Sequence, residues 1–82
     1  MKTNFVQKNI KLSLEFDEYA SHNPKVWNKV PNGAFLIFTV RGDSDFNSWS
    51  SNLPTKYERS RKKIIEAHKL GAKWDVRKFE FV

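Results

Sequence analysis

Apolar and polar positions alternate along the chain in short, separable blocks. In "NFVQKNIKLSLEFDEYAS", residues 4–21, two periodicities compete. With a period of two, Ile10, Leu12, Leu14 and Phe16 share one face of a strand. At about 100° per residue, Val6, Ile10 and Leu14 form one helical ridge, with Phe5, Leu12, Phe16 and Tyr19 as a second ridge beside it. Leu, Glu, Lys and Ala dominate the block, β-branched residues are few, and the pattern reaches Tyr19 and Ala20 only in helical phase. The helix is therefore the preferred reading, with a strand over residues 9–16 as the alternative. In the helix, Asn9, Ser13 and Asp17, each four apart, line the seam between the two ridges.

Asn23 precedes Pro24 and ends this helix, because a residue before proline is driven out of the α region. "PKVWNKV" reads as a short helix with Asn23 as its cap and Pro24 in its first turn. "PNGA" reads as a turn, and "AFLIFTV", residues 34–40, as a strand covered on both faces, since it has no polar side. Asp43, Ser44 and Asp45 open a further helix. Phe46, Trp49, Leu53, Tyr57 and Ile64 fall on one helical stripe, and the phase survives Pro54. This predicts a kinked helix, or two nearly in line, running to Gly71, with Thr55 and Glu58 at capping-box spacing. "KWDVRKFEF", residues 73–81, reads as a closing edge strand with a bulge near Arg77-Lys78.

The order predicts one small α/β (or α+β) domain over residues 1–82. Two N-terminal helices precede a β-α-β unit whose strands, 34–40 and 73–81, run parallel. So small a sheet has two open edges, and either the first helix or a second copy of the chain has to cover them.

Composition narrows the function classes. The chain has 82 residues, 39% of them hydrophobic and 15% aromatic, which is too rich in large apolar groups for a disordered chain. It has no cysteine, which removes disulfides, thiol chemistry and Cys-based zinc sites. No apolar run approaches the ~20 residues of a membrane span, and charged residues interrupt the N-terminal segment, so a soluble, cytoplasmic protein without a membrane partner is expected. The net charge of +6 is concentrated in residues 56–82, which carry nine basic and four acidic side chains.

That excess gives the first candidate site. Lys56, Arg59, Lys62, Lys63 and Lys69, with Lys73, Arg77 and Lys78 on the closing strand, form an anion-binding or nucleic-acid-binding set if the intervening segment is a helix with its cations turned to solvent. A soluble helix exposing its ordinary outer face explains the same residues. The second candidate is the polar seam of Asn9, Ser13 and Asp17, whose simpler role is to bond neighbouring backbone. Asp43 and Asp45 need no metal, because a helix start already favours carboxylates. His22 and His68 lack zinc-ligand spacing, and there is no phosphate loop, dinucleotide fingerprint or Ser-nucleophile signature. Neither a catalytic constellation nor a cofactor is therefore expected. The expected function is a non-enzymatic binding or regulatory module, acting through a protein partner or as a homodimer; the alternative is nucleic-acid binding through the basic C-terminal third.

One family resemblance stands beside this reading. Asn9, Leu12, Ser13, Leu14, Glu15, Phe16, Asp17 and Tyr19, then Pro24, Pro31, Gly33 and Ala34, then Phe46, Asn47 and Trp49, resemble a family of small uncharacterised bacterial proteins with a domain of unknown function. The resemblance covers about residues 9–50. Asn23 stands where that family tends to have His, Trp27 replaces a small residue, and Asn32 replaces Asp. It implies a shared fold, favours the helical reading of the first block, and supplies no activity.

Overall fold

The computed structural model describes residues 3–54 and 63–78. The first block is a helix, α1, Thr3–His22. It lays Leu12 and Phe16 onto the sheet, and both are buried, as is Ala20. Only one of the two expected ridges is core. Val6, Ile10 and Leu14 face away from the sheet and are exposed. The Nδ2 of Asn23 donates to the carbonyl of Tyr19 at 2.9 Å. Asn23 therefore closes the end of α1, and makes no side-chain cap to the six-residue 3-10 helix Pro24–Lys29 that follows.

Strand β1, Phe35–Val40, follows as expected. A turn then brings Asp43 N–H to the Val40 carbonyl at 3.1 Å, with Gly42 at φ +84°, a conformation that favours glycine. Asp43 caps α2, Ser44–Ser51, by accepting from the Phe46 N–H.

The helix predicted to run to Gly71 ends at Ser51, and Ile64–Leu70 is a strand, β2. The expected segment at Thr55 and Glu58 lies outside the described residues. Gly71, read as a helix stop, instead sits at φ +65° in a two-residue hairpin turn. That turn leads to β3, Lys73–Lys78, with Leu70 opposite Lys73.

The sheet has three strands in the order β1-β2-β3. β1 and β2 are parallel and β2 and β3 antiparallel. A β-α-β unit with two parallel strands is therefore present as β1-α2-β2. Its second strand is β2, while the closing strand, expected beside β1 and parallel to it, lies beyond β2 and runs the opposite way. β3 is an edge strand, as its mixed polarity predicts, and pairs regularly through Lys78. The chain is a small α/β domain with a mixed sheet.

The core follows from this register. Phe38 and Leu36 of β1, Ile65 and Ala67 of β2 and Val76 and Trp74 of β3 share one face, and α1 packs there with Leu12 and Phe16. Phe16 is fully buried, with ring centroids of Trp74, Trp27 and Phe38 at 5.2, 5.6 and 5.8 Å, all edge-on. Phe5, Phe46 and Trp49 continue the cluster between α1 and α2. Ile37 and Ile64 are buried on the opposite face.

Candidate functional site

Three places gather chemistry. The first is the outer face of α1. Val6, Ile10 and Leu14 are 52, 56 and 65% exposed, one turn apart along a single line. The polar seam beside them does not converge on one ligand position. Ser13 Oγ donates to its own helix at the Ile10 carbonyl, 2.7 Å away, and Asp17 is exposed. Asn9 Oδ1 is buried with no partner among the described residues.

The second place is a groove of about 540 Å³ between α1 and the carboxyl ends of β1 and β2. Leu12 and Val40 make its apolar part, while Lys8, Lys11, Lys69 and Glu15 supply its charges. Lys8 pairs with Asp43 and stands 5.1 Å from the Phe46 ring centroid, and Lys69 pairs with Glu15. The hydrogen bond from Lys8 is the main cause that holds the Asp43 carboxyl below its usual range, against a smaller opposing effect of burial.

The third place is a polar network across all three strands, on the face opposite α1. Thr39 Oγ1 donates to Glu66 Oε2 at 2.5 Å and lies 2.7 Å from His68 Nδ1. Arg77 Nε donates to Glu66 Oε1 at 3.2 Å, and its Nη1 to Asp75 Oδ2 at 3.1 Å. Glu66, foremost, then Asp75 raise the guanidinium pKa above its usual value. Thr39 is buried, and the Glu66 side chain is only 12% exposed. The network thus satisfies a nearly buried carboxylate with two donors. Its strand-alternate spacing, 66/68 opposite 75/77, was hidden in sequence because residues 64–70 kept helical phase. The hairpin signal "LGAK" between two runs was the feature that marks it.

The predicted basic set is dispersed. Lys56, Arg59 and Lys62 lie outside the described residues. Lys63 is exposed just before β2, and Lys73 and Lys78 are exposed on β3. Lys69 points to the α1 side of the sheet and Arg77 to the other, and both are already paired with carboxylates. Lys63 and Lys69, expected on an exposed helix, therefore frame β2 instead. Among the described residues, no group of three or more His, Asp or Glu is placed to hold a metal ion, and no helix is long and apolar enough to cross a membrane.

Among the described residues, sheet topology and site chemistry define a small α/β domain in which the carboxylates of Asp43, Glu15 and Glu66 are paired with cations and the most exposed apolar feature is one helix face. The sequence carries the assignment one step further. The profile of a family of unknown function (DUF5647) matches residues 4–72, and the chain belongs to that family. The match extends well past the resemblance over residues 9–50 and takes in β2. No curated protein and no solved structure matches the chain.

Proposed function

We propose that the protein is a non-enzymatic association module that pairs with a second copy of itself through the outer face of α1. The observation that carries this reading is the line of Val6, Ile10 and Leu14, each more than half exposed. Together these side chains leave on the order of 300 Å² of apolar surface in water, the size of the largest patch on a typical monomer. Two such faces in contact would remove about 600 Å² of apolar surface, a fitting apolar centre for an interface of roughly 1,600 Å² in all.

The helix dipole favours a second copy in antiparallel orientation, which opposes the two dipoles, whereas a parallel copy aligns them. The nucleic-acid alternative has less support, since its described cations occupy both faces of the sheet.

Sedimentation equilibrium tests the reading. The mass is expected to rise with concentration from 9.7 kDa toward twice that value, and Ile10→Glu to abolish the rise while leaving the circular dichroism spectrum unchanged. A mass that stays at the monomer value contradicts it. Salt-sensitive binding of an oligonucleotide by that monomer favours the alternative.

A further inference from the structure

The groove beside α1 lies on a different flank of the helix from the exposed ridge, and its chemistry points to a small ligand. It opens at the carboxyl ends of the two parallel strands, where β1 finishes at Val40 and β2 reaches Lys69. Open α/β sheets bind ligands at that end, because side chains from successive strands and the connecting segments converge there. A volume of about 540 Å³ falls within the range of small-molecule sites. Three ammonium groups and one carboxylate line it. Two of those ammonium groups are already anchored, Lys8 by Asp43 and Lys69 by Glu15, so less side-chain freedom is lost when an anion arrives. Lys11 has no carboxylate partner among the described residues. The side-chain amides of Asn4 and Gln7 add neutral donors at the rim.

We propose that this groove binds an organic phosphate monoester, with the phosphate held by Lys8, Lys11 and Lys69 and the organic body resting on Leu12 and Val40. Lysine suits a phosphate dianion because its ammonium acts as a mobile point charge with three donors. The apolar floor and the volume exceed the needs of inorganic phosphate alone, so the ligand carries an apolar or planar body. Lys8 and Lys69 each keep their carboxylate partner and turn a further N–H donor to the phosphate.

Amide NMR titrations of the full chain with phenyl phosphate, inorganic phosphate and phenol test the proposal. Phenyl phosphate is expected to saturate shifts at Lys11, Leu12, Val40 and Lys69, and to bind more tightly than either fragment alone. Lys69→Met is expected to weaken phenyl phosphate by roughly tenfold, the worth of one charge-assisted hydrogen bond. Lys63→Met, at the far end of β2, is expected to leave it unchanged, and Lys69→Arg to retain most of the affinity. The amide spectrum away from the groove reports that each variant is folded. Shifts scattered over all exposed lysines, equal affinity for phenyl and inorganic phosphate, or equal losses in Lys69→Met and Lys63→Met would each overturn the proposal.

Discussion

Asn47 gives both halves of its side-chain amide to one residue, Val40. Its Oδ1 accepts from the Val40 N–H at 2.7 Å, and its Nδ2 donates to the Val40 carbonyl at 2.8 Å. The parallel ladder turns alternate residues of β1 toward β2, as the bonds of Phe35 N–H to Lys63 and Arg41 N–H to Lys69 show. Val40 belongs to the set that faces away from β2. Asn47 therefore stands in for a neighbouring strand at the end of β1 and ties α2 to the sheet.

Asn47→Ala leaves that backbone donor and acceptor half-buried without the amide. The expected cost is about 2 kcal/mol, from one lost pair of bonds and the desolvation of their partners. Urea denaturation checks this, with a lower midpoint and an unchanged slope. A midpoint equal to that of wild type contradicts the bracing role.

The Asp43 carboxyl titrates below its ordinary value of 3.8, chiefly through the Lys8 hydrogen bond. A depressed folded-state pKa stabilises the fold above the unfolded value, and that contribution is lost as pH falls through the folded value. Acid unfolding below about pH 4 therefore draws partly on this pair. Asp43→Asn, which keeps a good helix cap, is expected to flatten the fall in urea midpoint between pH 4 and pH 2 on the order expected for one partly exposed ion pair. An identical pH dependence in the variant contradicts this.

Thr39 has one hydroxyl proton and two neighbours. Donation to Glu66 at 2.5 Å means that His68 Nδ1, at 2.7 Å, must donate to Thr39 Oγ1. Neutral His68 is then the Nδ1–H tautomer with an unprotonated Nε2. Long-range nitrogen–proton NMR correlations report the tautomer directly. The Nε2–H form would show that the Thr39 proton goes to the imidazole and that Glu66 is bonded differently.

Phe16 lies at the meeting point of Phe38, Trp27 and Trp74. Phe16→Ala removes a fully buried ring, at a cost of about 3–5 kcal/mol. In a domain of this size that consumes most of the stability. Tryptophan emission is expected to shift to the red at room temperature, and retained native emission contradicts the placement of the core.

Much of this architecture is legible in the residues themselves. The helical phase that reaches Tyr19, the Asn23-Pro24 break, the apolar, β-rich run of β1 and the carboxylate at Asp43 each act locally, so local signals suffice. β2 is different. "IIEAHKL" has helix formers at Glu66, Ala67, Lys69 and Leu70, and it becomes a strand because it pairs on both sides at the centre of the sheet. The polar network on it is illegible in sequence for the same reason, since Glu66 and His68 meet Thr39, Asp75 and Arg77 only through strand pairing. The exposure of the Val6 ridge was equally hidden: helical phase shows that a ridge exists, and only the packing of α1 shows which of two ridges the sheet takes.

Isotope-filtered NMR on an equal mixture of labelled and unlabelled protein bears most directly on the pairing of α1. An antiparallel dimer centred on Ile10 predicts intermolecular contacts between the Val6 methyls of one copy and the Leu14 methyls of the other. No intermolecular contact at the highest soluble concentration, or contacts confined to the sheet edges, would contradict that pairing.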